Sequence, residues 1–374
     1  MKNIMILDND YPSPENLYGN VFVHTRVKEY IKYANVQVIL FNKKGEDYIY
    51  ENIPVRYAFS EEEIKKEYDL IRPDAIFIHF YNKCLFSFLS SIKSRIYIWV
   101  HGYEALGWYR RLFNYSFYYF LRNAHRLIYD NVVQMIGFRK IIRTSNNGNN
   151  INFVFVSNWM KRMTEFDSFF SKIKNYTVIP NPINSRLFSY NKKEPDLRKQ
   201  VLMIRSFGSN KYANDIAIKA ILHLSTKPFF NDLEFSIYGR GGLFKKLTAP
   251  LKQFQNVHLY ERFLENVEIP NIHKKFGLFL CPTRQDAQGV SMCEAMSSGL
   301  VPLTSCSTAI PEFVEHGFSG LLSNNDLQLA QNIEKLYYKP ELFLEISANA
   351  AKSIREKCDI DLIIKRELTL AGIL

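Results

Sequence analysis

The sequence predicts an α/β protein that consists of two units, each built around a parallel sheet. Short apolar runs alternate with helical patterns along the chain, as strands and helices do in parallel sheets. The alternation stops at a polar stretch, 190–199, and starts again with an apolar run at 201–204. Because 374 residues suffice for two hydrophobic cores, we place a domain junction at the polar stretch.

Composition and charge narrow the class of protein without identifying a ligand. Hydrophobic residues make up 47% of the chain and charged residues 23%, which is typical of a folded protein. The formal net charge of +11 suits anionic membranes, phosphorylated ligands or nucleic acid. The charge alone does not choose among these partners.

The cysteines and the first residues indicate a reducing compartment. The five cysteines form no C-x-x-C pair, and their odd number does not suit a disulfide framework. A strand-like run follows Met1 without the basic and apolar regions of a signal peptide. No apolar stretch approaches the ~18 residues that a membrane span requires. We therefore expect buried free thiols and a cytoplasmic location.

The first half begins with a strand, after which a loop with two prolines contains Asp8-Asn9-Asp10. Further strands are expected where apolar runs recur: 36–41, 75–78, 96–100, 152–156 and 177–180. The two aspartates could form a carboxylate pair for a metal, but tight-turn chemistry explains Asp and Asn at this position better. We therefore expect no metal site.

A histidine lies where ligands of parallel sheets bind. His101-Gly102 directly follow the apolar run 96–100, and such ligands sit beyond the carboxyl ends of strands. His101 is therefore a candidate site residue. A structural histidine at the end of a strand is the alternative, and the sequence leaves it open.

The segment 108–143 combines aromatic and basic side chains. Arginines and lysines surround a set of apolar positions that recur at helical spacing. These apolar positions are Phe113, Phe117, Phe120, Leu121, Ala124 and Ile128. Such a segment suits the surface of an anionic membrane. A core-facing stripe with solvated basic residues explains the same pattern, so both interpretations stay open.

The second half carries cations and glycines at the ends of its first two strands. Arg205 and Lys211 flank a glycine loop between the strand 201–204 and a helix at 213–224. Such a pair can hold a diphosphate, with arginine as a fork and lysine as a point charge. Gly239 opens a second glycine turn, where the backbone can approach a ligand closely. This turn is not a dinucleotide fingerprint, because G-x-G-x-x-G is incomplete.

The stretch 283–304 contains an acidic residue, a glycine turn and a second acidic residue. A buried strand is expected at 278–281 and a helix after the glycine turn. Asp286 lies in the loop and Glu294 inside the helix, so two carboxylates frame a helix N-terminus, which attracts phosphate. A sugar-phosphate site explains this pattern. A loop aspartate and a solvated helix glutamate, neither of which binds a ligand, explain it as well.

Taken in order, these motifs resemble those of the retaining glycosyltransferases of family 4, almost from end to end. The strongest match is the E-x7-E region, present here as Asp286, seven residues and Glu294. Supporting matches occur in the expected order: Val100-His101-Gly102, Val156-Ser157, Ile179-Pro180-Asn181-Pro182, Arg205 with Lys211, Gly239, and Ile310-Pro311-Glu312. The resemblance implies a GT-B fold, in which two Rossmann-like domains face each other across a cleft.

Domain roles follow from the same resemblance. It implies an acceptor-binding domain at 1–188 and a nucleotide-sugar-binding domain at 189–355. A C-terminal helix at 356–374 is expected to pack back on the first domain.

The resemblance also implies which residues hold the nucleotide. Glu294 would bind the ribose hydroxyls, and Arg205 and Lys211 would neutralise the diphosphate. The base would rest near Arg262 and Phe263. The donor would be a nucleotide diphosphate sugar of the UDP or GDP type, and no cofactor or metal is expected.

A second group would contact the transferred sugar and its phosphate. Gly289, Val290 and Ser291 would offer backbone N–H groups, and Asp286 would hold the sugar hydroxyls. His101 would approach the donor sugar from the opposite domain. Asp286 stands where the family has glutamate, so this shorter side chain is expected to hold a different sugar or to reach it through water.

The activity implied is that of a metal-independent hexosyltransferase that retains configuration by front-face substitution. Its acceptor would be a lipid-linked or cell-surface polysaccharide precursor, with peripheral contact at the inner face of the cell membrane. A nucleotide-sugar epimerase of the same architecture is an alternative. A basic nucleic-acid-binding protein ranks last, because the sequence contains no recognised nucleic-acid motif.

Overall fold

The computed structural model describes residues 1–16, 19–41, 44–148 and 150–374. These residues divide into two units, the first made of 1–112, 116–182 and 361–374, and the second of 113–115 and 183–360. Ile183 belongs to the second unit because its N–H donates to the carbonyl of Cys358 at 2.7 Å, and its carbonyl accepts from the N–H of Ile360 at 3.0 Å. The divisions therefore lie a few residues from the predicted 188/189 and 355/356.

Most strands are runs of buried apolar residues, as expected for parallel strands that are covered on both faces. In the first unit they are β1 (Asn3–Asp8), β2 (Asn35–Phe41), β3 (Tyr48–Tyr50), β4 (Ile53–Ala58), β5 (Ala75–His79), β6 (Arg95–Val100), β7 (Ile151–Phe155) and β8 (Tyr176–Val178). In the second unit they are β9 (Gln200–Ile204), β10 (Glu234–Tyr238), β11 (Val257–Tyr260), β12 (Leu278–Leu280), β13 (Val301–Ser305) and β14 (Leu321–Ser323).

Each unit has one sheet with parallel topology. Within the described ranges, the first sheet runs β3-β4-β2-β1-β5-β6-β7-β8, and β3 is antiparallel to β4 while the other pairs are parallel. The second sheet runs β11-β10-β9-β12-β13-β14 and is parallel throughout. The predicted α/β class with parallel sheets is confirmed.

Helices lie between many of these strands, and further helices follow the last strand. They are α1 (Val21–Tyr30), α2 (Glu61–Ile71), α3 (Phe86–Ser91), α4 (Phe117–Asn147), α5 (Asn158–Asp167), α6 (Asn214–Leu224), α7 (Phe244–Thr248), α8 (Ile269–His273), α9 (Val290–Ser297), α10 (Asp326–Tyr338), α11 (Pro340–Cys358) and α12 (Ile360–Leu370). Ser157 caps α5, since its Oγ accepts from the N–H of Met160 at 3.2 Å. The matched motif Ile310-Pro311-Glu312 forms a 3₁₀ turn.

Helix α4 divides into two halves with different surroundings. From Asn131 onward it sends side chains such as Met135 and Phe138 into the core, whereas none of the side chains described between 118 and 130 is buried. The predicted stripe is therefore not a core stripe: Phe120, which packs on Trp108 with ring centroids 5.8 Å apart, is half-buried and Leu121 is 61% exposed. The side chain of Phe117 lies outside what the structure describes.

None of the described helices is both long enough and apolar enough to cross a membrane.

Candidate functional site

The candidate site is a pocket at the carboxyl edge of the second sheet. Neighbouring parallel strands β9, β10 and β11 end together there, because Ile204 lies opposite Tyr238, and Tyr238 lies opposite Tyr260. The pocket has a volume of about 200 Å³. Its lining comes from the ends of these strands, the loops that follow them and α9: Ile204, Arg205, Ser206, Tyr212, Tyr238, Gly239, Arg262, Phe263 and Ser291. This is the edge at which ligands of such sheets bind.

Two cations converge on one aromatic ring beside this pocket. Arg205 follows β9 and is buried, while Lys211 lies in the 3₁₀ turn Asn210–Tyr212 and is half-buried. The Arg205 guanidinium lies 5.4 Å from the ring centroid of Tyr212, and the Lys211 ammonium lies 5.5 Å from the same centroid. Both charges, which the sequence places on either side of a loop, therefore lie within 5.5 Å of the Tyr212 ring centroid.

Protein carboxylates neutralise neither cation. Arg205 Nη2 donates to the carbonyl of Cys281 at 2.8 Å, and its Nη1 lies 3.4 Å from Ser291 Oγ. Its Nε is buried without a partner in the described part of the protein. Neither Arg205 nor Lys211 forms an ion pair with any described carboxylate. A pair of uncompensated cations beside a small pocket attracts an anion with several oxygens.

The loop that carries Lys211 is held by Arg284, which the sequence did not single out. Arg284 forms a two-pronged ion pair with Asp215 at the start of α6, with both N–O distances 2.7 Å. Its Nη1 also donates to the carbonyl of Asn210 at 2.9 Å, and its backbone N–H donates to the carbonyl of Lys211 at 2.8 Å. The 3₁₀ turn is therefore fixed from the loop that follows β12.

An aromatic wall forms the far side of the pocket. The rings of Tyr238 and Tyr260 stack with centroids 4.4 Å apart and planes 9° apart. The Arg262 guanidinium lies 5.7 Å from the Tyr238 ring, held by an ion pair with Glu268 at 3.2 Å. Phe263, next to it, is 43% exposed. Flat rings and a guanidinium plane offer stacking surfaces to a planar ligand.

Glu294 is a half-buried carboxylate without a donor. It lies one turn after Ser291 on α9, and therefore on the same helix face. No described group donates a hydrogen bond to it or pairs with it. Burial raises the pKa of Glu294 to about 8. Such a carboxyl group lacks hydrogen-bond partners that hydroxyl groups of a ligand could supply.

Asp286 is already engaged by the turn that precedes α9. Its Oδ1 accepts from the N–H of Gly289 at 2.8 Å and from that of Gln288 at 3.2 Å. Gly289 has φ +80°, a conformation that favours glycine. Its N–H is therefore not the free donor that the sequence suggested. Val290 and Ser291 open α9, and N–H groups at this position have no acceptor within the helix.

Glycine at position 239 is explained by chain packing. A Cβ there would lie 2.0 Å from the carbonyl oxygen of Arg205 and 2.7 Å from the ring of Phe207. Gly239 lines the pocket, but the close approach that requires glycine is to the neighbouring loop of the protein.

His101 lies in the first unit, where it follows β6. Its Nε2 is 2.9 Å from Nδ1 of His79, the last residue of β5, and burial holds the pKa of both rings well below the usual range. Glu104 accepts from the backbone N–H groups of His101 at 2.6 Å and Gly102 at 3.1 Å. Sequence reasoning missed His79 and Glu104, although a histidine at the end of each of two neighbouring strands was a usable signal.

Asp8, the last residue of β1, holds the turn that follows the strand. Asp8 Oδ1 accepts from the N–H of Asn9 at 2.7 Å and from Nδ2 of Asn20 at 2.8 Å. No three His, Cys, Asp or Glu side chains of the described chain are grouped as a metal ion would require.

A known protein family matches part of the second unit. Residues 198–339 match the family described as "Glycosyl transferases group 1". This match includes Arg205, Lys211, Arg262, Asp286 and Glu294, and therefore the whole pocket with its two cations.

Curated relatives match part of the chain. The carrot (Daucus carota) protein named sucrose synthase isoform 1 is 26% identical over 188 residues, which are 48% of this chain and 21% of the relative. The alpha-monoglucosyldiacylglycerol synthase of Acholeplasma laidlawii is 23% identical over 196 residues, which are 48% of this chain and 48% of the relative. The chain thus spans less than half the length of either relative.

A solved structure covers the whole chain. Anabaena Alr3699/HepE, in complex with UDP and glucose, superposes with a TM-score of 0.70 at 15% identity, and the match covers 100% of both chains. The chain therefore has the GT-B fold, and its residues 198–339 are the part that matches the glycosyl transferases group 1 family.

Proposed function

We propose that this protein is a retaining, GT4-type glycosyltransferase that moves a sugar from a nucleotide diphosphate sugar to a saccharide acceptor. The observation that carries the proposal is the pair Arg205 and Lys211, two uncompensated cations on one ring beside an aromatic-walled pocket. This arrangement suits a nucleoside diphosphate, whose base can stack while its phosphates lie against the cations.

The other pocket residues take complementary roles. The base stacks near Tyr238, Arg262 and Phe263, which form the exposed aromatic end of the pocket. Glu294 accepts hydrogen bonds from the ribose hydroxyls, which supply the donors that its carboxyl group lacks. The first N–H groups of α9, at Val290 and Ser291, donate to phosphate oxygens.

We further propose that Asp286 contacts the transferred sugar. It keeps one carboxylate oxygen for a sugar hydroxyl, since the capping hydrogen bonds described above use Oδ1. In the first unit, we propose that His101 donates a hydrogen bond to a hydroxyl or phosphate oxygen of a substrate.

The charges define how these residues promote the reaction. As the bond between sugar and phosphate breaks, negative charge grows on the leaving diphosphate and positive charge grows on the sugar ring. Fixed cations at Arg205 and Lys211 stabilise the leaving group, and we propose that they do so without a metal or other cofactor. The acceptor hydroxyl attacks from the side that the diphosphate leaves, and a departing phosphate oxygen takes its proton, so configuration is retained.

The donor and acceptor classes draw support from relatives. Alr3699/HepE binds UDP and glucose, so we propose a donor of the UDP type, with the GDP type as the second choice. The name of the Acholeplasma relative describes a glycosylated lipid. We therefore propose a lipid-linked or cell-surface polysaccharide precursor as acceptor.

The acceptor class suggests where the protein works. Residues 118–130 of α4 expose Tyr118, Leu121 and Tyr129 by 76%, 61% and 67%, with the exposed Arg122 and Arg126 among them. Aromatic and basic side chains together favour the headgroup region of an anionic membrane. We propose that this surface contacts the inner face of the cell membrane from the cytoplasm.

A panel of UDP- and GDP-sugars, offered with a lipid-linked saccharide acceptor and with EDTA present, tests the activity. Mass spectrometry of the products is expected to show an acceptor enlarged by one sugar, with anomeric configuration retained by NMR. Arg205→Ala is expected to abolish turnover, and Arg240→Ala, an exposed arginine outside the pocket lining, is expected to preserve it. An isomerised nucleotide sugar formed without acceptor would instead identify an epimerase.

A further inference from the structure

Two histidines on neighbouring strands share one hydrogen bond. His79 ends β5 and His101 follows β6, and the two rings stack with centroids 5.2 Å apart and planes 20° apart. The distance between His79 Nδ1 and His101 Nε2 is 2.9 Å, so one nitrogen carries the proton and the other accepts it. Which nitrogen donates decides what His101 offers to a ligand.

Burial favours the neutral form of both rings. His79 is fully buried, which disfavours the charged form and holds its pKa well below the usual range. His101 is half-buried, and burial also lowers its pKa well below the usual range, while the guanidinium of Arg26 acts in the same direction on both rings. Each ring therefore has one N–H and one lone pair, and two arrangements of the shared hydrogen bond are available.

The partners of His79 distinguish the two arrangements. Its second nitrogen, Nε2, is buried and has no hydrogen-bond partner among the residues described. If His101 donated, His79 would have to carry its proton on Nε2, as a buried N–H without an acceptor. If His79 donates from Nδ1, Nε2 keeps only a lone pair. Orphaned buried N–H groups are rarer in proteins than under-satisfied acceptors.

Trp99 strengthens this assignment. It lies opposite His79 in the sheet, with ring centroids 5.1 Å apart. Its indole Nε1 is also buried without an acceptor in the described part of the chain, and an indole N–H can only donate. A proton on His79 Nε2 would add a second orphaned donor to this region, whereas a lone pair there does not.

The position of the His101 ring is fixed by other contacts. Phe22 and Phe80 pack against it with ring centroids 4.8 Å and 4.9 Å away. Its backbone N–H is held by Glu104 at 2.6 Å. Phe80 itself has φ +59°, an uncommon conformation for a bulky side chain. Since packing already holds the ring, the hydrogen bond to His79 sets its tautomer.

We propose that His79 is a positioning residue that holds His101 in the tautomer with the proton on Nδ1. His101 then presents an N–H donor, which suits a hydroxyl or phosphate oxygen and not a group that must donate a proton. The ligand that receives this hydrogen bond rests on the proposed function, but the assignment of the proton does not.

NMR of the full chain labelled with ¹⁵N at histidine tests the assignment without any substrate. The protein has eight histidines, and His101→Gln identifies the signals of residue 101. Long-range ¹H–¹⁵N spectra are expected to show a protonated Nδ1 and an unprotonated Nε2 at His101. A protonated Nε2 at His101 in the unmodified protein would overturn the proposal.

Two variants of His79 separate tautomer control from packing. His79→Asn keeps an amide N–H donor near the position of Nδ1, whereas His79→Leu removes it. The Nδ1–H form of His101 is expected to persist in His79→Asn and to be lost, wholly or in part, in His79→Leu. An unchanged His101 spectrum in a folded His79→Leu protein would contradict the proposed role.

Kinetics with the donor complete the test. We expect His79→Leu to lower kcat by at least about tenfold, the effect of losing one hydrogen bond of ~1.4 kcal/mol. His79→Asn is expected to recover most of that loss, and UDP affinity is expected to stay the same in both variants. If the unmodified protein turns over no donor, the proposed function fails while the NMR result still decides the tautomer. An equal loss of kcat in both variants would show that His79 acts through packing and not through its hydrogen bond.

Discussion

Arg26 and Glu367 are 341 positions apart in sequence and form an ion pair that is inaccessible to solvent. Arg26 Nε lies 3.0 Å from Glu367 Oε1, and Arg26 Nη2 donates to Asn181 Oδ1, also at 3.0 Å. The hydroxyl of Tyr30 donates to the other oxygen of Glu367. The pair ties α12 to α1 within the first unit, so the last residues of the chain complete the domain that the first residues begin.

Removing one partner of this pair is expected to destabilise the first unit strongly. Glu367→Ala leaves the Arg26 guanidinium buried without its counter-charge, which costs about 3–5 kcal/mol. Urea denaturation followed by circular dichroism measures the loss. The double variant Arg26→Met/Glu367→Leu is the control, because apolar replacement of both partners is expected to restore most of the stability. A double variant as unstable as the sum of the single changes would contradict this account.

Donor affinity is expected to depend on Arg205 and Lys211 separately. Each makes charge-assisted contacts to the diphosphate, so Arg205→Ala and Lys211→Ala should each cost about 1.5–3 kcal/mol, or ~10- to 100-fold in Kd for UDP. Isothermal titration calorimetry at low and high salt measures the change. Arg240→Ala removes an exposed arginine next to the pocket residue Gly239 and serves as the matched control. Equal losses for Arg240→Ala and Lys211→Ala would show that only the general positive field matters.

Asp215 is expected to affect the donor without touching it. Asp215→Asn weakens the two-pronged pair with Arg284, whose other hydrogen bonds hold the turn that carries Lys211. We expect UDP affinity to fall by roughly 3- to 10-fold, less than for Lys211→Ala, because the lysine remains but is less well held. The double variant Asp215→Asn/Lys211→Ala is expected to bind no more weakly than Lys211→Ala alone. Additive losses would show that Asp215 acts independently of Lys211.

Membrane contact through α4 is expected to require both apolar and basic side chains. Leu121→Ser/Arg122→Glu should lower binding to anionic lipid vesicles by at least about tenfold, since one basic residue near the surface contributes ~1 kcal/mol. Cosedimentation with anionic and with zwitterionic vesicles measures the binding of each variant. Leu70→Ser/Lys66→Glu on α2 is the control, because it makes the same chemical change at a leucine that is 67% exposed. An equal loss of vesicle binding in both double variants would show that α4 is not the contact surface.

The fold could be predicted from local sequence because its signals are local. The apolar runs that become β1, β5 and β9 are short and are bounded by polar residues, and Ser157 at a helix start is a short-range signal. Arg205 and Lys211 follow a strand and flank one loop, so their convergence on Tyr212 follows from the topology. Strand order and register were not predicted, because they depend on contacts between strands that local patterns do not specify.

The supporting contacts could not be predicted, because they join residues distant in sequence. Arg284 and Asp215 are 69 positions apart, and neither belongs to an apolar pattern or a recognised motif. The turn contact of Asp286, by contrast, has a local signal, because an aspartate three residues before a glycine at a helix start is typical of a turn. That signal was outweighed by the match to an E-x7-E motif. The motif predicted that Asp286 binds a ligand, and the structure shows that it also accepts hydrogen bonds within the turn.

Glu294 is expected to make stability depend on pH. Burial raises its pKa from an ordinary value of 4.5 to about 8, so between these values the folded protein keeps a proton that the unfolded chain has lost. The stabilisation is complete below pH ~4.5 and is lost as pH rises to ~8. Because the side chain is half-buried and partly screened, the loss should be roughly 1–3 kcal/mol. Urea denaturation at pH 5, 7 and 9 measures it.

The variant Glu294→Gln isolates this titration, because the amide is similar in shape and does not ionise. The difference in free energy of unfolding between Glu294→Gln and the unmodified protein is expected to grow in favour of the variant as pH rises from 5 to 8. The proposed ribose contact adds a second consequence: hydroxyl donors favour the ionised carboxylate, so UDP binding at pH 7 should release protons. Calorimetry in buffers of different ionisation enthalpy detects that release. Proton release that is equal in the two proteins would place the ribose away from Glu294.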